Sequence, residues 1–190
     1  MTLFKKKTPK EYAIYSAVIA IGILLDQLTK WLAVKFLMPI DTLPIIKNII
    51  HLTYVENTGA AFGMLKDHRW VFLIISTLAI IAFLAYLYLG HADNMLYAVS
   101  LSMVISGGIG NMIDRLALGY VVDFIDFRLI NFAVFNGADS FVCVGAVLLI
   151  LALILEMIEE SKAEKAKNAS VASEISEPSA EEAVKEEQAE

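Results

Sequence analysis

Long apolar stretches dominate the pattern of hydrophobic and polar positions along this chain. Four of them reach the length of about 20 mostly apolar residues that a helix needs to cross a bilayer. We expect each to form a membrane-spanning helix, because unpaired backbone groups are too costly in lipid. Their approximate bounds are Tyr12–Leu37, Trp70–Leu89, Met95–Ile113 and Ala138–Met157.

The connections between these stretches differ in length and pattern. Residues 90–94 are too few to hold a site, whereas residues 38–69 and 114–137 form two longer loops on the other side of the membrane. Each longer loop contains a segment rich in β-branched and aromatic residues, IIHLTYV at 49–55 and YVVDFIDF at 120–127. Such segments are typical of strands. The pattern therefore predicts an all-α membrane protein, with four transmembrane helices and a small β-containing cradle on one side.

Composition supports the membrane class and separates off the end of the chain. Hydrophobic residues make up 58% of the 190 residues and charged residues only 19%, against about 25% charged residues in ordinary globular chains. Residues 161–190 are rich in Ser, Ala, Glu and Lys and have no aromatic residue. We expect a membrane domain over residues 1–160 and a disordered acidic tail over 161–190. The net charge of −6 gives no reason to expect a nucleic-acid partner.

A cluster of lysines near the N-terminus predicts the orientation of the spans. Lysines stand at positions 5, 6, 7 and 10, before the first apolar stretch, and the positive-inside rule places such a cluster in the cytoplasm. Four spans then return the C-terminus to the cytoplasm, and the cradle lies on the opposite, extracytoplasmic side of the membrane. A cleaved signal peptide is the alternative for the first 25 residues. Against it, the apolar run continues past Asp26 for a full span.

Two groups of polar residues interrupt the apolar stretches. Asp26 and Lys30 lie four residues apart, and their opposite charges partly offset a cost of about 2.5–3.5 kcal/mol for a charge at mid-bilayer. They predict either a structural ion pair or one wall of a site. Asn111, Asp114 and Arg115 follow a glycine-rich run at the end of the third stretch. They predict either an interfacial Asp114–Arg115 ion pair with close helix packing or a second part of the site.

Further carboxylates lie just outside the spans. Asp123 and Asp126 are three residues apart on a strand-like segment, hence on opposite faces, and either one alone is typical of a solvated loop. Asn136 and Asp139 fit the N-cap and third position of a helix start. The topology nevertheless puts Asp123 and Asp139 on the same side of the membrane, where two carboxylates could share a proton and activate water.

Other chemistries find less support in the residues. The single cysteine, Cys143, excludes an internal disulfide, the three histidines are scattered, and no pattern typical of a metal site or a phosphate loop occurs. An enzyme that uses two carboxylates to activate water is therefore one class that the residues suggest, and two other classes of protein remain open. Intramembrane acids also suit a small proton-coupled transporter or channel subunit, and a structural membrane-interaction protein is the third possibility.

Five sequence blocks, in this order, resemble the lipoprotein signal peptidase (signal peptidase II) family. They are DQLTK at 26–30, ENTGAAF at 56–62, GGIGNMIDR at 107–115, VVDF at 121–124 and FNGADS at 135–140. The resemblance covers residues from about 12 to 158 and omits the tail. The chain departs from the pattern at Gly137, where the family usually has a branched aliphatic residue.

The resemblance implies an aspartic endopeptidase of the bacterial cytoplasmic membrane. Such an enzyme removes the signal peptide of a prolipoprotein by cutting before a cysteine that carries a diacylglyceryl group. It implies that Asp123 and Asp139 are the catalytic pair and that no metal or other cofactor is needed. Its expected partners are prolipoproteins and membrane lipid, and the protein is expected to be a monomer. Seven residues match positions that support the site or the substrate: Asp26, Lys30, Asn57, Asn111, Asp114, Arg115 and Asn136.

Overall fold

The computed structural model describes residues 7–59, 69–90 and 94–176. Among them are four helices long and apolar enough to cross a membrane, which confirms the predicted fold class. The helices are α1 (Pro9–Phe36), α2 (Arg69–Tyr88), α3 (Met95–Ala117) and α4 (Gly137–Ser176), and the strands are β1 (Thr42–Ile46), β2 (Ile50–Asn57) and β3 (Val121–Phe127). Parts of two sequence features, residues 60–62 of the second block and the lysines at 5 and 6, lie outside the described residues.

Polar side chains define where two of the spans begin. In α1, Thr8 Oγ1 accepts a hydrogen bond from Glu11 N, and Glu11 Oε2 accepts one from Thr8 N. This reciprocal pair satisfies backbone donors that no helical carbonyl can reach. In α3, Asn94 Oδ1 accepts from Tyr97 N at 2.7 Å. Each of these two apolar stretches therefore becomes a helix with a defined first turn.

Glycines allow close approach between α3 and its neighbours. A Cβ atom on Gly107 would meet the carbonyl oxygen of Ala138, and one on Gly110 would meet a carboxylate oxygen of Asp26. A larger residue at Gly107 would push α3 away from α4, and one at Gly110 would push it away from α1. The glycine-rich run therefore packs against neighbouring backbone and side chains, as the sequence predicted.

The three strands form an antiparallel sheet in the order β1-β2-β3. Strands β2 and β3 correspond to the two predicted segments. Strand β1 was missed, because its sequence, TLPII, contains Pro44, and proline is tolerated only at positions such as an edge strand. Val122 of β3 packs on Ala33 and Leu37 at the end of α1, so the sheet adjoins the helices at that end.

Helix α4 extends beyond its apolar part. The described residues divide near Ile150 into two compact units, and the first of them contains the sheet. Within the second unit, α4 continues to Ser176, so residues 161–176 are helical where the composition predicted disorder. Ala, Glu and Lys are strong helix formers, which explains how an apolar-poor segment continues the helix. Residues 177–190 of the predicted tail lie outside the described part.

Candidate active site

A buried lysine joins α1 to α3. Lys30 Nζ lies 2.9 Å from Asp26 Oδ2 and 3.0 Å from Asp114 Oδ2, and it donates to Asn111 Oδ1 at 2.8 Å. All three protons of the ammonium group therefore have acceptors. Lys30 is only 3% exposed and Asp26 1%. The predicted Asp26–Lys30 pair is confirmed, but the partner of Asp114 is Lys30 rather than Arg115, because α3 packs against α1.

The two carboxylates of this group also hold the segments that follow α3. Asp26 Oδ1 accepts a hydrogen bond from Ala138 N at 2.8 Å, in the first turn of α4. Asp114 Oδ2 accepts one from Val122 N at 3.1 Å, in β3. A charged acceptor makes such bonds stronger than neutral ones. The buried charges therefore fix where β3 and α4 begin relative to α1.

The side-chain amides of Asn111 and Asn136 are each held in one orientation, because their oxygens face hydrogen-bond donors and their nitrogens face acceptors. Asn111 Oδ1 accepts from Lys30 Nζ and also from Asn136 Nδ2 at 3.0 Å. Asn111 Nδ2 must therefore face the other way, where it donates to Asp139 Oδ1 at 2.8 Å. Asn136 Oδ1 accepts from Asp139 N at 2.9 Å, and its Nδ2 donates to Asp123 Oδ1 at 2.7 Å. One asparagine therefore touches both Asp123 and Asp139.

Asp139 closes the start of α4 as the sequence predicted. Its Oδ2 accepts from Asn136 N at 3.2 Å, while its backbone N–H donates to the Asn136 side chain. This is the reciprocal arrangement of a capping box. Asp139 is half-buried, so part of its carboxylate is open to solvent or to a ligand. Helix capping and a role in chemistry are therefore compatible at this residue.

Asp123 lies deeper in the same group. It is 1% exposed, and its Oδ1 and Oδ2 accept from the side-chain amides of Asn136 and Asn57, the latter at 2.9 Å. Burial raises the pKa of Asp123 to about 7. The hydrogen bond from Asn57 opposes this increase, and the negative charge of Asp139 adds to it. Asp123 can therefore hold or release a proton near neutral pH.

Asp126 belongs to a different group on the sheet. Its Oδ2 accepts from Arg128 Nε and Thr53 Oγ1, both at 2.8 Å. Burial disfavours its charge, but these two hydrogen bonds, together with the positive charge of Arg128, outweigh that effect and hold its pKa below the usual value. The predicted separation of Asp126 from Asp123 is consistent with these different partners. The expected solvated carboxylate is instead buried and paired with Arg128, because Thr53 and Arg128 fold over it.

Arg115 bridges three segments beside this group. Its guanidinium donates to Asn111 O at 3.4 Å and to Gly59 O at 3.2 Å, and it lies 4.9 Å from the centre of the Phe72 ring. It therefore ties α3 to the end of β2 and to the beginning of α2. Asn57 is oriented in the same region, because its Oδ1 accepts from Gly59 N at 2.9 Å.

Sequence reasoning missed Gln27. Its Nε2 lies within hydrogen-bonding distance of Asp114 Oδ1 at 3.0 Å, and of Gly110 O and Asp26 Oδ2 at 3.2 Å. The signal in the sequence was a polar residue inside a span, three positions before Lys30 and hence on a neighbouring part of the helix surface.

Over the described ranges, no three His, Cys, Asp or Glu side chains are grouped as metal ligands.

Comparisons with known proteins agree with this arrangement. Residues 18–155 match the family model described as signal peptidase (SPase) II. The lipoprotein signal peptidase of Caldanaerobacter subterraneus is 52% identical over 132 residues, which cover 70% of this chain and 90% of the relative. That of Clostridioides difficile is 46% identical over 136 residues, covering 72% and 91%.

A solved structure of a bacterial membrane enzyme has the same fold. It superimposes with a TM-score of 0.72 at 30% sequence identity, covering 82% of this chain and 94% of the other. These matches decide between the peptidase and the transporter that the residues alone left open. The chain belongs to the signal peptidase II family, and it is a multi-pass bacterial membrane peptidase that removes signal peptides from prolipoproteins.

Proposed function

We propose that this peptidase is of the aspartic type, with Asp123 and Asp139 as its catalytic pair. One observation carries the proposal: the side-chain amide of Asn136 lies 2.7 Å from Asp123 Oδ1, and its backbone nitrogen lies 3.2 Å from Asp139 Oδ2. Both carboxylates accept a hydrogen bond from the same asparagine, as expected of neighbouring acids that share one proton. The cut falls before the diacylglyceryl-modified cysteine. The direct test is cleavage of a lipidated prolipoprotein by purified Asp→Asn variants.

The environments of the two acids suggest their separate roles. Like charges in close proximity are not both ionised readily, and Asp123, which is more buried, has a pKa of about 7. We assign the shared proton to Asp123, where it can polarise the scissile carbonyl. Asp139, half-buried at the start of α4, then takes a proton from the attacking water. As the C–N bond breaks, Asp139 gives this proton to the leaving amine, so the pair returns to its starting protonation state.

The other polar residues act by positioning this pair. Asn111 and Asn136 orient Asp139, and Asn57 and Asn136 orient Asp123. Lys30 acts through Asn111, whose amide it orients. The remaining three residues connect segments of the chain: Asp26 to α4, Asp114 to β3, and Arg115 to the end of β2.

The first prediction concerns the pH dependence of turnover. Because Asp123 must carry a proton, activity should fall as the pH rises through its pKa of about 7. The hydrogen bond from Asn57 favours the ionised form of Asp123. Asn57→Ala should therefore raise this pKa and move the alkaline limb of kcat/KM, which reports the free enzyme, to higher pH. The measurement is kcat/KM for a lipidated prolipoprotein across the pH range in which the fold is stable.

A matched control lies on the same strand. Thr53 also donates to a carboxylate, but to that of Asp126, so Thr53→Ala should leave the alkaline limb in place. An unchanged limb in Asn57→Ala, or an equal displacement in Thr53→Ala, would show that Asp123 is not the group whose proton is required.

The second prediction concerns orientation. We propose that both termini are cytoplasmic and that the sheet and the catalytic pair lie outside, because lysines precede α1 and four spans follow. In a Cys143→Ser background, Lys47→Cys should react with an impermeant thiol reagent in intact cells, whereas Glu174→Cys should react only after lysis. Labelling of Glu174→Cys from outside would reverse the orientation.

We also propose that the enzyme works as a monomer in contact with membrane lipid, because the hydrogen bonds that position Asp123 and Asp139 are complete without a second copy of the chain. Light scattering of the active, detergent-solubilised protein tests this. Activity confined to a dimeric fraction would contradict it.

A further inference from the structure

Two turns meet at the end of the sheet that is farther from the catalytic pair. The first turn, residues 46–49, joins β1 to β2, and the second, residues 128–130, follows β3. They are fastened together, because Arg128 N donates to Ile49 O at 3.0 Å and Ile50 pairs with Phe127. We call these two turns together the sheet tip.

The sheet tip exposes large aliphatic side chains. Ile46 is 49% exposed, Ile49 38%, Leu129 69% and Ile130 68%. The backbone of the turns does not require them, because the left-handed positions are filled by the asparagines at 48 and 131, with φ of 62° and 48°. Turn residues are ordinarily polar, and a contiguous exposed apolar patch marks a contact with a partner or a membrane.

The strand that leads to the sheet tip lies across the ends of the spans. Near its beginning, Val122 N donates to Asp114 in the last turns of α3. Near its end, Ile125 exchanges backbone hydrogen bonds with Phe135, one residue before the N-cap of α4. Both halves of β3 are therefore held where spans meet the membrane surface. A strand held in this way runs along that surface, so the sheet tip that follows it stays at the same level.

We propose that the sheet tip is a membrane anchor, whose aliphatic side chains insert into the boundary between phospholipid headgroups and acyl chains. Exposed apolar side chains also continue along the chain from the end of α1 through β1, because Phe36, Met38, Ile40 and Ile45 are each more than half exposed. Lys47 is exposed beside the aliphatic residues, where its charge complements lipid phosphates, whereas the charge of Arg128 is matched by Asp126. This anchor holds the sheet at a fixed depth and does not depend on which residues catalyse.

A fluorescent probe tests the insertion directly. In a Cys143→Ser background, Ile130→Cys carries an environment-sensitive nitrobenzoxadiazole label in vesicles of phosphatidylcholine and phosphatidylglycerol, with or without brominated acyl chains. Insertion by about 5–10 Å, as for interfacial segments, predicts that the emission is blue-shifted. Bromine atoms on the part of the acyl chain nearest the headgroup should quench it. Leu24→Cys, 67% exposed within α1, gives the lipid reference. Glu56→Cys, exposed on β2, gives the reference outside the lipid core.

Because Ile130→Cys removes one of the four aliphatic side chains, a second probe is placed where all four are kept. Lys47→Cys keeps all four aliphatic side chains and should be quenched less than Ile130→Cys but more than Glu56→Cys. Emission and quenching at both positions equal to those of Glu56→Cys would overturn the anchor. A blue shift at Ile130→Cys that bromine does not quench, and that disappears when the protein is diluted in lipid, would also overturn it, because a second copy of the chain would then cover the tip.

Discussion

Asp123→Asn and Asp139→Asn should each lower kcat by at least about 10³-fold, within the range for loss of general acid–base catalysis. Asparagine has nearly the size of aspartate but cannot take up a proton. Because the two acids act as a unit, the double variant should be scarcely slower than either single variant. The measurement is single-turnover cleavage of a lipidated prolipoprotein by purified enzyme in detergent.

Substrate binding separates this loss from a folding defect. Both single variants should still bind the prolipoprotein, because Asp26, Lys30 and Asp114, which connect α1 to β3 and α4, are unchanged. Rate losses that multiply in the double variant would mean that the two acids act independently. The shared-proton mechanism would then be wrong even if each acid proved important.

Lys30→Met should strongly destabilise the fold. It leaves Asp26 and Asp114 buried without the ammonium group that lies within 3.0 Å of each. Breaking a buried ion pair from one side costs about 3–5 kcal/mol. The loss should appear in thermal unfolding followed in detergent, and kcat should fall as well, because Asn111 loses the donor that orients its amide.

Lys35→Met provides the control on the same helix. Lys35 is exposed and lies 4.8 Å from the centre of the Trp31 ring, a contact worth about 0.5–1 kcal/mol at such a site. Its loss should leave kcat unchanged. If Lys30→Met were no less stable than Lys35→Met, the buried charges would not be what holds α1, α3 and β3 together.

The sequence predicts those features of the fold that are local. Apolar length gave the four spans, residue type gave β2 and β3, and the four-residue spacing gave the Asp26–Lys30 pair. Asn136 and Asp139 were recognisable as a helix start, because capping depends only on nearby residues. Strand β1 was hidden by Pro44, and the helical part of the tail was hidden by its polar composition.

What the sequence leaves open depends on packing between distant segments. That Asp114 pairs with Lys30 rather than with its neighbour Arg115 follows from the contact of α1 with α3. That Gln27 reaches Asp114 follows from the same contact. The fixed amide of Asn111 between Lys30 and Asp139 requires three elements to meet at one point. No spacing within one segment carries that information.

The catalytic pair itself is tested most directly by a gel-mobility assay of substrate cleavage. Wild-type protein, Asp139→Asn and Asp126→Asn are purified in detergent and incubated with a lipidated prolipoprotein, and the mobility of the substrate is followed. Wild type and Asp126→Asn should release the signal peptide, since Asp126 has its own partners in Arg128 and Thr53, whereas Asp139→Asn should leave the substrate intact. Cleavage by Asp139→Asn at a near-wild-type rate would contradict the aspartic mechanism and leave Asp139 as a helix cap alone.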